Sequence, residues 1–260
     1  MEFGPDQVVK RRARAPKGFF AAEAAGLRWL AVSGGTRVAR VLDVSGSHIA
    51  LERIRDGAAS RRAAAAFGES LARTHDAGAA GFGARPSGYS GPCFIGEIGL
   101  PMPAGAEVAG LRWGEFYADY RVLPYARMAR EDGSFGAGEA RVFDRLADRL
   151  RAGEFDDDAP AARIHGDLWA GNVLFTSDEA VLIDPAAHGG HRLADLAMLS
   201  FTGFPHLETV WDSYEASSEW LPAGWRGLAP LHLVHPLLVH TALFGSGWAG
   251  AALRAAERYR

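Results

Sequence analysis

Two neighbouring stretches, RIHGDLWAGNVLF at 163–175 and LIDPAAHGGHRLADLAML at 182–199, set His165, Asp167, Asn172 and Asp184 among apolar residues. Polar side chains in apolar runs cost stability unless they are paired or used. VLF (173–175) and AVLID (180–184) are strand-like runs joined by the turn-forming tetrad TSDE, so this segment reads as a hairpin. Its open end brings Asn172 beside Asp184, with Asp167 in the loop just before them. Two carboxylates and an amide oxygen at one spot suit a hard cation such as Mg2+, which takes oxygen ligands and often keeps positions for water and substrate phosphates. Pro185 then turns the chain away. Leu193, Leu196, Ala197 and Leu199 recur at helical spacing and place Asp195 near the start of a buried helix. Its carboxylate either caps amides of the Asp167 loop or complements the helix dipole.

These residues need a scaffold, and the rest of the chain supplies candidates for it. The apolar pair Val8-Val9 ends at Lys10 and reads as a short strand. PKGFFAAEAAGLRWLA reads as a helix with a stripe at Phe19, Glu23, Leu27 and Leu30. A carboxylate on that stripe calls for a cation, for which Lys10 is the candidate, unless Glu23 lies at the edge and reaches water. TRVARVLDV and HIALERI read as strands around the turn SGS, which gives a small sheet-plus-helix lobe over 1–54. IRDGAAS is a connector into a larger, mainly helical lobe over 55–260. RRAAAAFGESLARTHDAG is its first helix, followed by a Gly- and Pro-rich structured loop from Phe82 to Gly110. Further helices are expected at about 113–130 and 139–152, then the acidic linker FDDDAP and a mostly helical tail from Ala194.

Composition narrows the function. With 28 basic and 31 acidic residues the net charge is −3, so no global field favours nucleic acid or an anionic membrane, and a small-molecule partner is expected. A lone Cys93 excludes a disulfide framework and a Cys-rich zinc cage, and fits a reducing, cytoplasmic interior. The N-terminus has no apolar signal core, and the longest apolar stretch, LHLVHPLLVHTALFG, is broken by three histidines and Pro236. The basic run Lys10, Arg11, Arg12, Arg14 and Lys17 reads as a solvated segment, from which only Lys10 stands apart.

His165-Gly166-Asp167-Leu168 with Asn172 five residues after the Asp matches the kinase catalytic loop H-R-D-L-x-x-x-N, with Gly in place of Arg. Asp184 stands where the metal-binding Asp of the DFG segment would. The strings HGDLWAGN and DPAAHGGHRLADLAML resemble the fructosamine (ketosamine-3-) kinase family, which shares the protein-kinase-like fold with aminoglycoside and choline kinases. The resemblance extends through FFAAEAAGLRWL, LARTHDAGAAGFG, WGEFYADYRVLPY and HPLLVHTALFG, nearly the whole chain. It implies an α+β, two-lobed, monomeric kinase that uses ATP and Mg2+ on a sugar-amine adduct, free or on a protein lysine. Asp167 would be the base that takes the proton of the sugar C3 hydroxyl, with Asn172 and Asp184 on Mg2+. Lys10 and Glu23 would orient the nucleotide phosphates, and main-chain groups of Glu52, Arg53 and Ile54 would hold the adenine. Trp169 and His191 would contact the substrate, with His165 and Asp195 in support.

The pattern breaks at one place. Residues MEFGPDQVV before Lys10 leave room for one strand at most and hold no Gly-rich hairpin. Either the natural start lies upstream or ATP is covered differently. GSGWAG at 245–250 fits G-x-G-x-x-G but follows a helical run, so it is a decoy. SGG at 33–35 reads as a helix C-terminal cap. The alternatives are a related kinase of aminoglycoside or choline type and a nucleotide-binding protein without catalysis. A third is a metal-dependent hydrolase built on His165, Asp167, Asp184, His188 and His191. Against the last, HGGH is most simply a set of hydrogen-bonded histidines. His232, His235 and His240 are expected in the core or the cleft.

Overall fold

The computed structural model describes residues 1–260. A four-stranded antiparallel sheet opens the chain, built from β1 (Glu2–Phe3), β2 (Gln7–Arg11), β4 (Val41–Val44) and β5 (His48–Glu52) in the order β1-β2-β5-β4. The helix α1 (Phe19–Leu30) covers one face of it. Lys10 stands directly opposite Ile49, and Val8 opposite Leu51. Opposed residues of an antiparallel pair share a face. Ile49 and Leu51 pack on Phe20, Ala24 and Leu27 of α1, so Lys10 is on the side that α1 closes. Before the lysine strand there is one strand stub, β1, joined to β2 through a turn in which Gly4 N–H donates to the Gln7 carbonyl.

The larger lobe is mainly helical. Ser60 caps α2 (Arg61–Asp76) by accepting from the Ala63 amide, and the helix buries Ala64, Phe67, Leu71 and His75. Its other main partner is α7 (Leu207–Ser217), which crosses so close at Gly68 that a Cβ there would overlap the Val210 carbonyl. Glycine is what allows the two backbones to meet. The Gly- and Pro-rich region is less irregular than its composition suggests: it contains the hairpin β6 (Cys93–Ile95) and β7 (Ile98–Leu100). The helical region from Trp113 is also not uniform. A short α3 (Trp113–Phe116) runs through a π-helical turn, Tyr117–Val122, into α4 (Leu123–Glu131). After α5 (Ala137–Arg151) come β8 (Ala162–Ile164), β9 (Val173–Phe175), β10 (Ala180–Leu182) and β11 (His188–Gly190). The remaining helices are α6 (Arg192–Leu199), α7, α8 (Trp225–His232), α9 (Val234–Phe244) and α10 (Ala249–Glu257). GSGWAG falls in a 3-10 turn and the start of α10, with no strand before it.

Two strand pairings set the frame of the site. β9 and β10 form the hairpin read from the sequence, and β10 also pairs in parallel with β3 (Arg37–Val38) of the small lobe. The Ala39 amide extends that pairing to the Leu182 carbonyl at 2.9 Å. β8 pairs antiparallel with β11, which brings the start of the HGD loop beside the residues that follow Asp184. Trp225–Phe244 is long and apolar enough to cross a membrane, but half of it is buried within this fold.

Three histidines of the large lobe, His188, His232 and His235, are buried, and burial pulls their pKa values down, His188 to about 3. Each stays neutral in the fold but takes a proton in the unfolded chain below the ordinary value of 6.5. Stability is therefore fully present above pH 6.5 and falls as the pH drops, by about 1.4 kcal/mol per pH unit for each of them. Urea midpoints should fall steeply between pH 6.5 and 5, and a flat profile across that window would show that these imidazoles are already charged in the fold.

Candidate active site

The loop from His165 to Asn172 leaves β8 and enters β9, and its first residues are held by one carboxylate. Asp195, in the first turn of α6 and without exposed surface, accepts from the His165 amide at 2.7 Å and the Gly166 amide at 2.9 Å. Its third partner is the His75 imidazole of α2, at 3.1 Å, whose other nitrogen meets the Tyr214 hydroxyl of α7 at 2.7 Å. Burial alone would raise the Asp195 pKa, but the bonds from His75 and the loop amides outweigh it and hold the carboxyl below its usual range. Gly166 has φ +80°, and a Cβ there would overlap the Ala186 carbonyl. This explains why glycine stands where kinases carry arginine: no L side chain fits that backbone.

Asp167 follows. It is largely buried, which pushes its carboxyl pKa up, while His165, the hydrogen bond from Asn172 and the charge of His240 act in the opposite direction. The Asn172 amide nitrogen donates to the Asp167 carbonyl at 2.8 Å and to its carboxylate at 3.1 Å. The His165 ring is used at both ends, with one nitrogen on the Ile183 carbonyl at 2.9 Å and the other accepting from the Asp167 amide at 3.2 Å. At the open end of the β9–β10 hairpin the Ile183 amide bonds the Asn172 carbonyl, and Asp184 comes next in a left-handed conformation with φ +54°. Such backbone is uncommon for a residue other than glycine and concentrates at functional sites.

Lys10 reaches from the small lobe into this group. Its ammonium bonds Glu23 of α1 at 2.6 Å and forms an ion pair with Asp184. Together with Asp167 and Asn172 these side chains line one cleft of about 350 Å3. Trp169 lines it too, more than a third exposed, its ring lying over Gly171 where any Cβ would collide with it. The lining also includes Phe19 of α1 and Tyr89, Cys93 and Phe94 of the Gly- and Pro-rich region.

Other expected site residues lie elsewhere. Glu52, Arg53 and Ile54 do not line the cleft: the amides of Glu52 and Arg53 bond the carbonyls of Arg40 and Asp6, and the Glu52 carboxylate takes Arg37 and the Arg40 amide. His191 is also outside it, as the N-cap of α6, accepting from the Leu193 amide and meeting Asp157 at 3.1 Å. His188 bonds the Ala186 carbonyl. No three His, Cys, Asp or Glu side chains converge as a metal cluster, so the hydrolase arrangement of His165, His188, His191 and the two aspartates is not assembled. The sequence reading missed His75, although it falls on the apolar stripe of α2 four residues after Leu71, where a polar residue needs a buried partner. It also missed the β6–β7 wall, for which composition offers no signal.

The hold of Asp195 on the loop generates a measurable expectation. In Asp195→Asn, one acceptor oxygen becomes a donor facing donors, and unfolding free energy should drop by about 3 kcal/mol. A loss below about 1 kcal/mol in urea titrations would mean that the loop amides find other acceptors.

The sequence profile of fructosamine kinases matches residues 4–259. A "Probable ketoamine kinase" of Thermus thermophilus is 34% identical over 250 residues, covering 95% of this chain and 85% of that protein. Protein-ribulosamine 3-kinase of Arabidopsis thaliana is 29% identical over 84% of this chain and 63% of its own length. Among solved structures, one from Thermobifida fusca described as a "putative fructosamine-3-kinase" superposes with a TM-score of 0.86 at 42% identity, over 97% of this chain and 85% of that one. APH(2")-IIa in its complex with gentamicin shares the fold alone, with a TM-score of 0.61 at 13% identity over 98% of this chain and 87% of its own. A small sheet lobe and a helical lobe around a cleft that holds the HGD loop are thus the kinase-like architecture, and this small-molecule kinase belongs to the fructosamine kinase family.

Proposed function

We propose that the protein transfers the γ-phosphoryl group of ATP, with Mg2+, to the C3 hydroxyl of a ketosamine, and that Asp167 takes the hydroxyl proton. The observation that carries this reading is the line of charges across the cleft: Glu23 holds Lys10, Lys10 meets Asp184, and Asp167 and Asn172 face the same space. Phosphoryl transfer asks little covalent help of a protein, and depends on alignment and on neutralising phosphate charge. Lys10 supplies a cation that Glu23 keeps in place. Burial raises the Asp167 pKa, which makes its carboxylate a stronger base.

The oxygen donors present fit a Mg2+ ion. The Asn172 nitrogen is committed to Asp167, so its amide oxygen is left as an acceptor, and the Asp184 carboxylate has an oxygen beyond the one on Lys10. Hard oxygen ligands are what this ion takes. When bound, Mg2+ would neutralise charge on the nucleotide phosphates. The Glu52–Ile54 segment lies outside that cleft, so its Ile54 amide, the one of the three without a backbone acceptor, would meet an adenine edge only where the nucleotide extends past the cleft. The exposed face of Trp169 offers an apolar surface for the sugar, and the names of the relatives support a ketosamine as its source.

The test is phosphate transfer from ATP, with Mg2+, to fructose-lysine and ribulose-lysine. The wild-type chain should transfer to at least one of them. Asp167→Asn should lower kcat by about 10²- to 10⁴-fold with nucleotide affinity little changed. An unaltered kcat removes Asp167 as the base, and nucleotide binding without transfer to either acceptor sinks the ketosamine assignment. Lys10→Met should cost about 10²- to 10³-fold in kcat, as expected for loss of a charge aimed at the reacting group. Arg11→Met, which removes only a pairing with exposed Glu2, should leave it unchanged, and equal effects of the two would return Lys10 to the solvated basic run.

A further inference from the structure

Behind the HGD loop is a second, much smaller cavity, separate from the nucleotide cleft. Its volume is about 30 Å3, and Arg121, His188, His191, His232 and His235 line it together with Gly166. Arg121 is almost completely buried, at 1% exposure, on the π-helical turn Tyr117–Val122. Extra-wide turns of this kind are rare and often mark functional positions.

Arg121 has no carboxylate partner. Its terminal nitrogens donate to the carbonyls of Pro101 and Tyr120, both at 2.8 Å, and to the Met102 sulfur, and its guanidinium lies 4.5 Å from the centre of the Phe116 ring. Its Nε has no partner at all. Burial lowers its pKa only to about 10, so it stays charged at neutral pH. Two further buried nitrogens on residues of the same cavity lack partners, His232 Nδ1 and His235 Nε2. The carboxylates nearest the cavity are committed: Asp157 to His191, and Asp195 to His75 and the loop amides.

A buried charge without a counter-charge is costly, and buried polar nitrogens without acceptors add to the cost. Each imidazole can present an N–H to a guest while remaining neutral. The cavity exceeds the roughly 10–15 Å3 that one water needs, and it is too small for an oxyanion such as sulfate or a sugar phosphate. We propose that this cavity is a binding site for a single monoatomic anion of halide type, held by the Arg121 charge and by N–H groups of His232 and His235. The occupied site would fasten the Tyr117–Val122 turn to β11 and to the back of the HGD loop. It is independent of the identity of the phosphate acceptor.

The full chain is exchanged into sodium gluconate, whose anion cannot enter such a volume, and its thermal midpoint is followed as chloride or bromide replaces gluconate at constant ionic strength and pH 7.5. A saturable rise of about 2–4 °C is expected. In Arg121→Met, which keeps most of the apolar stem, the halide response should vanish. Crystals of the wild-type chain grown in bromide should show an anomalous peak between Arg121 and the imidazoles, which keeps the test decisive if the variant does not fold. A midpoint that ignores the halide, together with a cavity that holds only water, would overturn the site. A halide response preserved in Arg121→Met would place the anion elsewhere and overturn it equally.

Discussion

The carboxylate of Asp195 is the point on which the rest of the site depends. It is a buried charge satisfied by three donors, two loop amides and the His75 imidazole, and through His75 it reaches Tyr214. One side chain therefore ties the exit of β8, α2, α6 and α7 into a single unit. A fully hydrogen-bonded buried carboxylate resists displacement, because moving any donor would leave a charge without compensation. Asp167 sits one residue beyond the clamped amides, so its position is inherited from the core. The left-handed Gly166 between them is what lets the chain turn beneath Ala186.

The second constraint joins the lobes. The pairing of β3 with β10, extended by Ala39, attaches the small lobe to the hairpin that carries Asn172 and Asp184. The Lys10 ammonium, bound to Glu23 on one side and Asp184 on the other, spans the same boundary with charge. Backbone pairing across the lobes thus sets the distance between them, and the ion pairs set the orientation of the groups within the cleft. The hairpin at Cys93–Leu100 closes the far wall by packing Phe94 edge-on against Phe19 at 5.3 Å.

Two arginines are buried near this site. Arg192 is buried but paired with Asp76 at 2.6 Å, whereas Arg121 faces only carbonyls, a sulfur and an aromatic ring. His188, His232, His235 and Arg121 line the same small cavity, where burial lowers the pKa of all three imidazoles beside a guanidinium without a counter-charge.

Much of this was legible in the residues themselves. The helical stripe of α1, the hairpin at 173–184 and the first-turn position of Asp195 all follow from periodicity and turn chemistry, which act over a few residues. The spacing from His165 to Asn172 and on to Asp184 is likewise local: it placed oxygen ligands for a hard cation together, and its resemblance to the kinase catalytic loop pointed to phosphoryl transfer. Other features depend on segments far apart in the chain. That His75 is the partner of Asp195, 120 residues away, that Cys93, Phe94 and Gly96 wall the cleft, and that His191 caps a helix beside a different cavity are such features. Local pattern tells a side chain which face of its own element it occupies. Only the packing of distant elements, where α2 meets α7 and the two lobes close on each other, decides what that face meets.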